Sequence, residues 1–293
     1  MLWPLAKRRH LAPNPQLAQR VIEVRQQNPE AERWLELVEA AFAEAGTDMA
    51  WGDAVLTIAT EQPVRAPILH QAQIAVRRRP AQRWLRQVLE LAAVDHGGRA
   101  VPHEVEATAL LEAAVCQDDD RVDAIGERTN VDPPTLRVVA QMFALPLLQT
   151  CGRALAGQLP AASAWWEGYC PVCGAWPTLA EFRGLERKRW LRCGRCATGW
   201  EMAWLRCPFC GETQHTNLGY LAPEAVETTR KVEVCDSCKG YVKAEPTVRP
   251  LAPWEIVLDD LATVPLELAA LDRGYHRPER PGFALEARIV EAR

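Results

Sequence analysis

Apolar residues recur at three- and four-residue steps through the first half of the chain, the spacing of one buried helix face. Trp34, Leu35, Val38, Ala41 and Phe42 form such a face and run to Gly46, a helix stop. Asn14-Pro15 and Asn28-Pro29 each join an N-cap to a proline at the first helical position, where the missing N–H costs nothing. Pro80 opens another helix, with Trp84, Leu85, Val88, Leu89 and Ala92 on one side and His96-Gly97-Gly98 as its stop. Asp132-Pro133-Pro134 opens a third long segment through Leu136, Val139, Phe143, Leu147 and Leu155, which Pro146 should kink or split. Shorter helices are expected over residues 68–78 and 104–116. Residues 1–160 therefore read as an all-helical domain.

The pattern lapses at residues 157–163, a linker or helix end, and then changes period. Short stretches at 178–182, 189–192, 200–205, 217–221 and 231–234 favour strand, each beside a cysteine pair or a turn. Helical spacing returns at Trp254, Ile256, Leu258 and Leu261, and an Arg- and Pro-rich tail follows Gly274. The expected class is α+β. An all-α N-terminal domain precedes a tandem metal-binding region at 165–248, and a C-terminal helix and tail at 249–293 are free to return to the helical domain.

Composition narrows the function. The chain has 293 residues, 48% hydrophobic and 25% charged, with a net charge of -4, an acidic balance that argues against a main role in gripping nucleic acid. No apolar stretch follows the basic N-terminal Lys7-Arg8-Arg9, so an export signal is not expected there, and no run is long enough to span a membrane. A cytoplasmic location is the expectation. Ten cysteines fall well below the roughly 8–10% of disulfide-stapled secreted proteins.

Eight of those cysteines form four Cys-x-x-Cys pairs: Cys170/Cys173, Cys193/Cys196, Cys207/Cys210 and Cys235/Cys238. Two cysteines two residues apart wrap one tight turn around a metal, and two such turns complete a tetrahedron of sulfurs. Gly174 and Gly211 free the backbone after two of the pairs, and Pro171 and Pro208 restrict the turn itself, so Cys-Pro-x-Cys-Gly reads as the knuckle of a zinc ribbon or rubredoxin. Sequential pairing of the motifs is the simpler topology; a cross-braced one is the alternative. Two closed four-thiolate sites leave no position for substrate, and mononuclear zinc and iron both suit them. Spacing alone leaves that choice open.

Around the first site lie Arg183, Arg187, Lys188, Arg189, Arg192, Arg195 and Arg206, against Glu186 and Glu201. They balance thiolate charge, coat the solvated face of a hairpin, or form a docking patch; the solvated face is the simplest of the three. Cys116 and Cys151 fall on apolar helix faces and read as core thiols. His215 stands near Cys210, but the cysteines already make two full sets. Six of eleven tryptophans (Trp165, Trp166, Trp176, Trp190, Trp200 and Trp204) cluster about the cysteines, where they would cover ribbons that lack a core. No phosphate loop or catalytic constellation is assembled, so the chain reads as a binding protein and not an enzyme.

The runs Tyr169-Cys-Pro-Val-Cys-Gly-Ala-Trp-Pro, Leu191-Arg-Cys-Gly-Arg-Cys, Leu205-Arg-Cys-Pro-Phe-Cys-Gly and Glu233-Val-Cys-Asp-Ser-Cys-Lys-Gly-Tyr-Val-Lys closely resemble the formate dehydrogenase accessory protein family, FdhE. Asp259-Asp-Leu-Ala-Thr-Val-Pro-Leu-Glu-Leu and Gly274-Tyr275 extend the resemblance, which covers about residues 165–276. It implies a cytoplasmic factor for maturation of respiratory formate dehydrogenase that binds the catalytic subunit before export. It also implies two rubredoxin-like metal ions, iron favoured over zinc, with Cys170, Cys173, Cys193, Cys196, Cys207, Cys210, Cys235 and Cys238 as ligands. The residues by themselves also admit a zinc-ribbon nucleic-acid regulator or a Cys-x-x-Cys redox protein, and they leave a homodimer and the partner-binding face open.

Overall fold

Residues 14–46, 51, 55–59, 63–92, 105–161, 164–223 and 230–292 are described by a computed structural model. The Asn14 side chain accepts the backbone N–H groups of Gln16 at 3.0 Å and Leu17 at 3.3 Å and so opens α1 (Pro15–Gln27). Asn28 does not repeat this. A 3-10 turn, Pro29–Ala31, separates it from α2 (Glu32–Ala45), and the Asn28 side chain makes no capping bond. On α2, Leu35, Val38 and Ala41 are buried as their spacing requires, while Trp34 stays exposed.

Helices α3 (Arg78–Ala92), α4 (Ala107–Cys116), α5 (Asp119–Thr129) and α6 (Pro133–Ala154) complete the helical half. Asp132 caps α6 through the N–H of Thr135. Pro146 does not split the helix: α6 is one element, and Leu145, Pro146, Leu147 and Leu148 are all buried. Packing on several sides offsets the missing backbone hydrogen bond. His96-Gly97-Gly98 and Arg8-Arg9 lie outside the described residues. No helix among the described residues is long and apolar enough to cross a membrane.

The α+β class holds, but the first half is not all helical. Residues 68–78, expected as a helix, contain the strand β2 (Ala72–Val76), in which Ala72, Ile74 and Val76 are buried and Gln73 is exposed. That is a period of two. β1 (Val55–Thr57) pairs with it antiparallel, and β9 (Ala287–Glu291) pairs with it parallel, Ile74 opposite Ile289. The tail after Gly274 thus ends as a strand in the N-terminal sheet, a pairing partner too distant for any local pattern to announce.

The cysteine-rich region forms one six-stranded sheet. β3 (Leu179–Arg183), β4 (Lys188–Arg192) and β5 (Gly199–Glu201) make one antiparallel ribbon; β6 (Leu218–Leu221), β7 (Lys231–Cys235) and β8 (Tyr241–Thr247) make the other. Parallel pairing of β3 with β8, Leu179 opposite Lys243 through Arg183 opposite Thr247, fuses them. β8 is a strand that the sequence pattern did not suggest, whereas the segment 200–205 leaves the sheet after Glu201.

One apolar core runs without a break from α2–α6 and β2 into the first ribbon, through Val172, Ala180, Leu191 and Trp200. The C-terminal segment then ties the ends together. α7 (Pro253–Ala262) returns to α1 and α2, burying Leu258 with Val21, Val24, Leu35 and Val38. α8 (Val264–Leu271) instead covers the second ribbon, setting Ala270 against Val232, Val234 and Tyr241.

Candidate metal centres

The four Cys-x-x-Cys turns are built alike. In three of them the N–H of the residue after the second cysteine returns to the carbonyl of the first: Gly174 to Cys170 at 2.9 Å, Ala197 to Cys193 at 3.0 Å and Gly211 to Cys207 at 3.1 Å. That residue is left-handed in every turn, with φ of 72° at Gly174, 62° at Ala197, 78° at Gly211 and 55° at Lys239. Glycine makes this cheap at two turns; Ala197 and Lys239 accept the strain because the surrounding sheet holds them there. The first cysteine of each turn then donates its own N–H across the knuckle, Cys170 to Ala175, Cys193 to Thr198, Cys207 to Glu212 and Cys235 to Gly240.

These turns converge in two groups, Cys170, Cys173, Cys193 and Cys196, and Cys207, Cys210, Cys235 and Cys238, with the four sulfurs of each within 4.8 Å of one another. The motifs therefore group sequentially. Cys170 lies 3.5 Å from Cys196 and Cys173 3.5 Å from Cys193; Cys207 to Cys238 and Cys210 to Cys235 are both 3.7 Å. A metal held at about 2.3 Å by four thiolates sets neighbouring sulfurs about 3.8 Å apart, so each group has the size of a tetrahedral site. No disulfide closes either group. The donor set fits a soft divalent ion, and each group can hold one.

The surroundings are prepared for negative sulfur. Val172 N–H points to Cys170 Sγ at 3.4 Å, Cys196 N–H to Cys193 Sγ at 3.5 Å, and Gly240 N–H to Cys238 Sγ at 3.4 Å. Burial pushes the thiols of Cys170 and Cys196 well up, while hydrogen bonds from Cys170, Cys173 and Cys196 hold Cys193 well below the usual thiol range. A divalent ion binds thiolates and so would displace thiol protons from the group.

The two groups differ in access. All four cysteines of the first are buried in the core, and helices hold its turns from outside: Gln117 on the end of α4 donates to the Cys173 carbonyl at 3.4 Å, and Gln149 on α6 to the Arg195 carbonyl at 3.4 Å. In the second group Cys210 is exposed and Cys238 half-buried. Its outer turn is fastened by the C-terminal segment, where Tyr275 donates its hydroxyl to Asp236 at 3.0 Å and His276 N–H binds the Lys239 carbonyl at 2.7 Å. His215 lies in a 3-10 turn and belongs to neither group. Cys151 is a buried core thiol pushed up to about 12 by burial, and Cys116 is half-buried, with its thiol also raised by burial.

The basic run is not simply a solvated face. Arg187 and Lys188 are exposed, but Arg189 and Arg192 are each only 4% exposed. Arg189 pairs with Glu233 at 2.7 Å, and Arg192 with the fully buried Glu181, which Arg183 also contacts. These pairs cross-link strands within and between the ribbons. Their acidic partners lie outside the basic run, so charge counting along the chain missed them. Asp259 and Asp260 have the same role on α7: Asp259 contacts Arg20 and Arg230, and Asp260 contacts Lys243 and Arg277. Among the tryptophans, Trp165 and Trp200 are buried as covers, whereas Trp166 and Trp204 are exposed.

Residues 205–282 match the family model described as FdhE, C-terminal domain. "Protein FdhE homolog" of Rhizobium meliloti (strain 1021) is 35% identical over 120 residues, 38% of this chain and 37% of that protein. "Protein FdhE homolog" of Stutzerimonas stutzeri (strain A1501) is 38% identical over 112 residues, 37% of this chain and 35% of the relative. "Protein FdhE" of Escherichia coli O127:H6 is 34% identical over 116 residues, again 37% and 35%. The matched stretch thus spans little more than a third of these relatives. The crystal structure of the FdhE protein from Pseudomonas aeruginosa superposes with a TM-score of 0.52 at 23% identity, covering 92% of this chain and 95% of that one, which establishes a common fold. Residues 205–282 thus match the FdhE C-terminal domain, and the chain shares the fold of an FdhE protein over nearly its whole length.

Proposed function

We propose that this protein is a cytoplasmic accessory factor for the maturation of respiratory formate dehydrogenase, acting by binding the catalytic subunit before export. The observation that carries the reading is the pair of four-cysteine groups, the second of which lies within the stretch that matches the FdhE C-terminal domain. Cys170, Cys173, Cys193 and Cys196 would hold one metal ion, and Cys207, Cys210, Cys235 and Cys238 a second, iron favoured over zinc. When bound, such an ion supplies cross-linking of the ribbon turns and, if it is iron, a one-electron couple.

The chain's own residues do the rest. The knuckle N–H groups stabilise thiolate charge, and the buried Arg–Glu pairs hold the two ribbons in one sheet. All four protein sulfurs of each group point inward, so substrate has no vacant coordination position, which favours binding over turnover.

The test is co-purification of the full chain with the formate dehydrogenase catalytic subunit from cells that express both, with metal analysis and a visible spectrum on anaerobically prepared protein. Capture of the subunit by protein holding two iron ions with sulfur-to-metal absorption is the expected result. Failure to capture the subunit overturns the reading; zinc with salt-dependent RNA binding would replace it with a nucleic-acid regulator.

A further inference from the structure

A cleft of about 180 Å³ opens on the sheet face beside the second cysteine group, between residues 204–209 and strand β6. It is smaller than the roughly 300–1,000 Å³ of a small-molecule site and has the scale of a pocket for a protein side chain. Large apolar side chains stand at its mouth, Trp204 at 65%, Leu205 at 57% and Tyr220 at 67% exposure. Trp and Tyr in such a position are the residues that dominate binding energy at protein interfaces.

The charges of the cleft are unequal. Arg189, Arg206 and Lys231 line it against one carboxylate, Glu233, which Arg189 engages at 2.7 Å and Lys231 at 4.0 Å, so three cations share a single negative charge. Lys231 spans the aromatic wall, its ammonium 4.7 Å from the centre of the Phe182 ring and 5.2 Å from that of Tyr220. Arg206 Nε is buried and has no hydrogen-bond partner among the described residues. The surplus of cations at the rim, where Arg206 is half-buried, suits a carboxylate brought by a partner. β6, which carries Tyr220, is also an edge of the sheet, where an extended chain can add main-chain hydrogen bonds.

We infer that this cleft is the docking surface for the catalytic subunit, taking from it an extended segment in which a carboxylate neighbours a large apolar side chain. The inference rests on the function proposed above. The apolar side chain enters between Trp204 and Tyr220, the carboxylate meets Arg206 and Lys231, and the segment runs along β6.

The experiment compares capture of the catalytic subunit by the full metal-loaded chain and by its variants. Tyr220→Ala, Trp204→Ala and the charge reversal Arg206→Glu/Lys231→Glu should each weaken binding on the order of tenfold or more. Leu185→Ala and Val248→Ala, exposed apolar positions elsewhere, should leave it unchanged. Metal content and circular dichroism qualify each variant as folded; should Trp204→Ala fail that check, Tyr220→Ala and the charge reversal carry the test. A photo-crosslinker at position 220 should form its adduct in an acidic segment of the subunit. Undiminished binding by the folded cleft variants, or an adduct on a second copy of this chain, on nucleic acid or on a segment without carboxylates, overturns the cleft assignment alone. Absence of capture by the unsubstituted chain removes the function itself.

Discussion

Trp176 and Phe209 meet edge to face, ring centroids 5.3 Å apart at 74°, and join the two cysteine groups. Trp176 follows the first Cys-x-x-Cys turn and Phe209 lies inside the third. The contact presses the more accessible second group against the fully buried first one. Phe209→Ala forfeits an aromatic pair worth about 0.5–1.5 kcal/mol beyond its area. Metal retention by the second group should fall several-fold, with the first little affected. Timed chelator extraction of the metal-loaded protein measures this, and in the unsubstituted chain it should empty the second group before the first. Simultaneous loss from both would contradict the difference in burial.

Gly152 on α6 places backbone directly on the first group. A Cβ there would lie 2.0 Å from the carbonyl oxygen of Cys196, a contact that cannot be accommodated without moving the helix or the turn. Gly152→Ala should destabilise the chain by about 1–3 kcal/mol, the range for overpacked cores. Thermal unfolding of the metal-loaded protein reads this. An unchanged midpoint would show that α6 is not seated on the turn.

Glu181 is wholly buried between Arg183 and Arg192, and its carboxylate also accepts the N–H of Leu251 at 3.1 Å. Glu181→Ala strands Arg192 in the interior and should cost about 3–5 kcal/mol in denaturant unfolding. Replacing both with apolar residues, Glu181→Leu with Arg192→Met, should recover only part of that loss, because Arg192 no longer lies unpaired while Arg183 and the Leu251 N–H still lack Glu181.

Asp260 supplies a pH dependence. Burial opposes its ionisation, but Arg277 and Lys243 outweigh that and hold the carboxyl below its ordinary value of 3.8. The folded state therefore favours the charged form. Its contribution is full above the ordinary value and disappears as pH falls through the depressed one. Asp260→Asn should be less stable than the unsubstituted chain at neutral pH, with the gap narrowing in acid. Denaturant titrations of both proteins in matched buffers at several pH values check this; a gap that widened in acid would reverse the sign.

Local chemistry was legible wherever its cause was local. Four Cys-x-x-Cys turns, the caps at Asn14 and Asp132, and the buried faces around Leu35, Leu85 and Val139 follow from neighbours within a few residues. So does the sequential grouping of the cysteines, since a hairpin returns each second turn to the first. Charge partners were not legible, because Arg189 finds Glu233 44 residues away and Arg20 finds Asp259 239 residues away.

The sequence by itself thus determined the helical faces, the two sets of four thiols and the family resemblance. Only the tertiary structure decided that β2 is a strand, since its partner β9 comes from the opposite end of the chain, and that β3 and β8 fuse the ribbons into one sheet. It also decided which cysteine group lies in the core and which lies beside an open cleft. The physical reason is the same throughout. Turn geometry and helix periodicity are short-range and written in adjacent residues, whereas burial, strand partnership and ion pairing depend on which distant surfaces meet.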